Sequence, residues 1–134
     1  MKREIKFRAW NPASKEMGKP FDLSTMIRLS EKIGNAGINT KKRFDDYILM
    51  QFTGLTDTNE VEIYEGDIIK VDGNPIGVDD EFIEIKFSEG GFVVEADFDE
   101  YDMTTIGWAI NIWDIESRKV EVIGNIYENP ELIK

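Results

Sequence analysis

The stretch YILMQFTGLTDTNEVEIYEGDIIKV, residues 47–71, decides the fold. Its opening, Tyr47 to Phe52, is a nearly continuous apolar run, the pattern of a buried strand. Thr53 to Asn59 is rich in turn formers. Val61, Ile63 and Tyr64 lead into Glu65-Gly66-Asp67. Residues 67–72 then read as a second short strand, with Ile69 and Val71 on one side and Ile68 and Lys70 on the other. Short apolar runs separated by turn chemistry predict antiparallel β structure.

The same pattern extends outward in both directions. On the N-terminal side, residues 4–10 alternate. Ile5, Phe7 and Ala9 fall on one face and Glu4, Lys6, Arg8 and Trp10 on the other, which predicts a half-buried strand with its charges toward solvent. Asn11-Pro12 ends it, and a turn follows with Gly18 and Pro20 as breakers. Residues 24–33 are the best helix candidate, with Ser24 as cap and closure at Gly34. Residues 34–46, with two glycines and the Lys41-Lys42-Arg43 cluster, read as a loop.

On the C-terminal side, Gly73-Asn74-Pro75 turns the chain. Residues 82–88 alternate, placing Ile83, Ile85 and Phe87 together. Glu89-Gly90-Gly91 then folds them onto residues 92–96, the clearest hairpin in the sequence. Residues 97–104 are acidic and read as a loop or helix start. Residues 106–115 fit both helical and strand spacing, with helix slightly favoured. Residues 119–127 form a strand in which Gly124 marks a bulge or a close approach. Asn129 caps a last helical turn with Pro130 at its first position. About six strands and one or two short helices predict a mainly β (α+β) fold, a small antiparallel, partly closed barrel-like or sandwich domain.

Composition narrows the chemistry. The chain has 134 residues, no cysteine, no histidine and a net charge of −11. A length of this order suits one domain, residues 1–134, with a useful core. Without cysteine or histidine there is no thiolate, no imidazole base and no Ser-His-Asp triad. MKREIKFRAW lacks the apolar run of a signal peptide, and no segment approaches the roughly 20 apolar residues of a membrane span. The expected location is therefore the cytoplasm, with no membrane partner. The charge is split: residues 1–43 balance at +7 and residues 44–117 at −18. The favoured account is that basic and acidic segments pack against each other, within a chain or between subunits.

Each possible site has a plainer explanation. Asp57-Thr58-Asn59-Glu60-Val61 and Asp97 to Asp102 lack the glycine of a calcium loop, and Asp79-Asp80-Glu81 is a plain acidic cluster. No metal site follows. Glu65 and Asp67 could form a carboxylate pair, but a turn entering a strand, with Asp67 bonding nearby amides, explains them better. Gly90-Gly91 has no third glycine and no following Lys-Ser/Thr, so no phosphate loop and no cofactor are expected. Lys2, Arg3, Lys6 and Arg8 beside Phe7 and Trp10, and the 41–43 cluster beside Phe44, have the composition of nucleic-acid platforms. The sequence pI of about 4.5 argues against direct nucleic-acid binding. An acidic surface that imitates the phosphates of DNA is the alternative; it needs Asp79, Glu95, Asp97, Asp99 and Asp102 on one ridge.

Three blocks together, Arg3–Trp10, Leu49–Val71 and Val122–Leu132, resemble the YopX-like family of phage and prophage proteins. They cover about a third of the chain. The resemblance implies a β-rich domain of phage or prophage origin, acting in a bacterial host cell and assembling into homo-oligomers. It implies no enzyme activity, so no catalytic, cofactor-binding or metal residue is carried over. The expected partners are further copies of the chain and a host or phage protein.

Overall fold

The structure, a computed structural model, describes residues 4–35, 46–71, 82–88, 90–98, 103–109 and 119–133. They form two antiparallel sheets. The first holds β1 (Lys6–Asn11), β2 (Glu16–Met17), β3 (Phe21–Asp22), β4 (Ile48–Thr56) and β5 (Glu62–Tyr64). Its order is β2-β1-β4-β5, with β3 pairing β1 beyond β2. The second holds β6 (Asp67–Val71), β7 (Phe82–Ser88), β8 (Gly91–Phe98), β9 (Met103–Ala109) and β10 (Val120–Asn125), in the order β10-β6-β7-β8-β9. The mainly β, antiparallel class is therefore as expected. Among the described residues the six strands become ten, because the short β2, β3 and β5 and the strand β9 gave little or ambiguous periodic signal.

The stretch that decided the fold links the two sheets. β5 pairs with β4 in the first, whereas β6 pairs with β7 and β10 in the second. Glu65-Gly66 is the corner between them. The Gly66 N–H donates to the Ile85 carbonyl, 2.8 Å, and its own carbonyl accepts from Ile126 N–H, 2.9 Å. Its φ is +82°, and an added Cβ would meet Met50 Sδ and the Tyr127 ring at 3.5 Å. A residue without a side chain fits this left-handed, closely packed corner. Ile63, Ile69, Ile85 and Val120 form the core beside it.

Several expectations change. Tyr47 to Phe52 is not buried throughout: Met50 and Phe52 are, but Tyr47, Ile48 and Leu49 are exposed. β4 has an inner and an outer face, so its apolar run serves two surfaces. The strand also continues to Thr56, through a register shift between Phe52 and Thr56, where a turn was expected. The helix α1 (Leu23–Asn35) is present, but its cap is Asp22, not Ser24. Asp22 Oδ1 accepts from Thr25 N–H at 2.7 Å, the reach of a cap to the third helical amide.

The hairpin about Gly90, φ +84°, pairs Ser88 with Gly91 as expected. Residues 97–98 and 103–104, expected as loop or helix start, belong to β8 and β9. Residues 106–109, favoured as helix, are strand, because β9 completes its backbone hydrogen bonds along β8, with Trp108 opposite Val94. Residues 110–115, the turn at 73–75 and the Lys41–Arg43 cluster lie outside the described residues. Gly124 sits at a register shift of β10 against β6. The last helical turn, Pro130–Leu132, is a 3-10 turn in which Asn129 makes no side-chain cap bond. Asn129 Oδ1 instead accepts from Asn125 N–H at 3.3 Å.

Candidate interaction surfaces

β1 turns its charged face inward, opposite to expectation. Trp10 is 7% exposed, whereas Ile5 is 48% exposed. The carboxylates and aromatic rings of β4, β5 and β6 make this possible. Lys6 lies 4.7 Å from the Phe52 ring centroid and is paired with Glu62. Arg8 lies 4.7 Å from the Tyr64 centroid and pairs with Asp67 at 2.5 Å. Trp10 stacks on Tyr127, 5.7 Å between centroids. A cation over a ring and against a carboxylate keeps its charge satisfied away from water. Trp10 sharing the face of Lys6 and Arg8 was the available signal, since a tryptophan on a supposed solvent face is a poor fit.

The charges tune one another. The hydrogen bond to Glu62 raises Lys6 above its ordinary value. Burial opposes ionisation of Glu62, but hydrogen bonds from Lys6 and the Tyr64 hydroxyl outweigh it and hold the carboxyl below its usual range. Burial and the Glu62 carboxylate push the Tyr64 phenol up. Asp67 is 1% exposed, and burial raises its carboxyl above the ordinary value, with Arg8 and the Tyr64 N–H only partly offsetting it.

Glu65 and Asp67 therefore have separate duties. Asp67 Oδ2 accepts from Tyr64 N–H at 2.7 Å while Oδ1 holds Arg8. Glu65 Oε2 accepts from Gln51 N–H at 3.4 Å on the first sheet. The pair fastens the corner. Asp57 is likewise committed. Its Oδ1 accepts from Asn59 and Val61 N–H at 2.8 and 2.9 Å, and its Oδ2 from Val122 N–H at 2.9 Å. Thr58 Oγ1 donates to the Val120 carbonyl and accepts from Val120 N–H. This loop is a clamp onto β10. Its spacing carried no sequence signal, because the partner is more than sixty residues away.

Two accessible surfaces stand out among the described residues. The outer face of the first sheet carries Ile5, Phe7 and Ala9. Phe21 pairs opposite Phe7, and Leu49 pairs opposite Ala9. Ile5 and Leu49 are exposed and the other three half-buried. Leu23 and Ile27 of α1 are each 50% exposed. The second surface is an open cleft of about 760 Å³ at the hairpin of β1 and β2. Trp10, Met17, Tyr47 and Tyr127 line it together with Glu16 and Glu128. Of the residues whose burial would test an acidic ridge, Asp79, Asp99 and Asp102 lie outside the described residues; Glu95 and Asp97 are placed only by their backbone, in β8. Among the described residues, no helix is long and apolar enough to cross a membrane.

Two antiparallel sheets joined at a buried charged corner, with committed carboxylates, define a small β-rich protein. A family model described as YopX protein matches residues 6–134, and the chain belongs to that family. It is 36% identical over 74 residues to the SPbeta prophage-derived uncharacterized protein YopX of Bacillus subtilis. That match covers 54% of this chain and 50% of the relative, so the chain spans about half the length of the curated relative it matches. The crystal structure of protein EF1440 from Enterococcus faecalis is similar in fold, with TM-score 0.58 and 25% identity over 97% of this chain and 98% of that one.

Proposed function

We infer that this is a phage or prophage accessory protein that works by contact rather than catalysis, and that it associates with further copies of itself in the bacterial cytoplasm. The carrying observation is the outer face of the first sheet, where Ile5 and Leu49 are exposed beside Phe7, Ala9 and Phe21. Contiguous apolar side chains on a sheet face mark an interaction site more often than a solvated one. The absence of histidine and cysteine, and the commitment of Asp67 and Glu65 to backbone and Arg8, support a non-enzymatic reading. Light scattering after size exclusion tests it. The expected mass is a multiple of 15.4 kDa, falling toward the monomer in Leu49→Asp. A wild-type chain that stays at the monomer mass at all concentrations overturns self-association.

A further inference from the structure

We propose that the cleft at the β1–β2 hairpin binds an arginine side chain presented by a separate partner polypeptide. The floor is the stacked pair Trp10 and Tyr127, with planes 25° apart. Met17 pairs opposite Trp10 from β2, and Tyr47, 40% exposed, contributes a further ring. The rim carries Glu16, Glu128 and Lys15, all exposed. Two carboxylates and one ammonium leave a single negative charge, which one monocation neutralises. Among the described residues, neither rim carboxylate has an ion-pair partner.

The chemistry of rings with carboxylates selects the ligand. A guanidinium is planar, stacks on aromatic faces, sheds water more readily than an ammonium and bonds carboxylates through a fork. The protein uses the same combination internally, holding Arg8 over Tyr64 and against Asp67. The cleft places the same combination at the surface, with Glu16, Glu128 and the Tyr47 ring exposed above the stacked pair. A net charge of −11 draws basic partners in general, and the rings make the choice of arginine over lysine local. The volume, about 760 Å³, also admits the residues that flank an arginine in an extended segment. The site uses none of the outer-face residues, so it stands or falls independently of self-association.

The test is a titration of the full chain, labelled with 15N, with acetyl-Gly-Arg-Gly-amide, acetyl-Gly-Lys-Gly-amide and thymidine monophosphate. The Trp10 indole resonance is assigned by its loss in Trp10→Phe. The expected result is a saturable shift at the Trp10 indole and the Tyr47 amide. The arginine probe should bind about fivefold more tightly than the lysine probe. Binding should be lost in the Glu16→Gln/Glu128→Gln double variant, whose melting temperature should match wild type because both side chains are exposed. Equal response to lysine, preference for the nucleotide, or shifts spread over the acidic surface without saturation overturns the site. A double variant that loses subunit mass in light scattering would assign the arginine to a second copy and overturn the separate partner.

Discussion

Replacing Arg8 with methionine tests the logic of the inter-sheet corner most directly. Methionine keeps the length and apolar stem of the side chain but removes its charge. Asp67, 1% exposed, then keeps only the Tyr64 N–H bond at 2.7 Å and loses its cation. Breaking a buried ion pair from one side costs about 3–5 kcal/mol, because the remaining charge stays desolvated. For a chain of this size that corresponds to a melting temperature lower by about 10–20 °C. The pH dependence gives a second signature. Asp67 already titrates above its ordinary value, and burial is the first cause. Without Arg8 it should rise further. A carboxyl whose folded-state value is raised favours the folded state while protonated and loses that advantage as pH rises through the folded value. The Arg8→Met deficit should therefore be larger at pH 7 than at pH 5, and Asp67→Asn added to it should recover part of the loss. Urea unfolding followed by circular dichroism at both pH values supplies the numbers. A deficit below about 1 kcal/mol, or one that grows on acidification, would refute the account of Asp67 as a charge held by Arg8.

Three further outcomes follow from single contacts. Gly124→Ala drives a Cβ into the Asn129 side-chain amide and should cost about 1–3 kcal/mol in a urea melt, with much of it restored when Asn129 is also changed to alanine. Asp57→Ala leaves the Asn59, Val61 and Val122 amides without their acceptor and should cost about 3 kcal/mol, with faster hydrogen exchange at those three amides as the local readout. Asp22, held to about 2 by its bonds from Thr25 and Ser24, should cap α1 throughout the range above its ordinary value and release it only as pH falls through about 2. Thr25 amide shifts that titrate near pH 4 instead would remove that cap.

The sequence by itself determined the class of fold and the local turns. Gly90 reads as a hairpin because few other residues adopt its backbone angle, and Gly124 reads as a bulge or close approach because a strand interior otherwise disfavours glycine. Glu65-Gly66-Asp67 reads as turn chemistry because Gly66 takes a left-handed angle and one bond is local: Asp67 accepts from Tyr64, three residues away. These signals are local, so a linear reading finds them. The direction in which β1 faces was different. Alternation separates Lys6, Arg8 and Trp10 from Ile5, Phe7 and Ala9, but it cannot say which set is covered. That depends on what the opposing strands offer, and Glu62, Tyr64 and Asp67 lie more than fifty residues further along. The same holds for Asp57 on β10 and for β9, whose helical or extended state is settled by pairing with β8. The tertiary structure decided these points because desolvation is a property of the whole neighbourhood. A cation sits inside only where rings and a carboxylate meet it, and only folding brings them to Lys6 and Arg8.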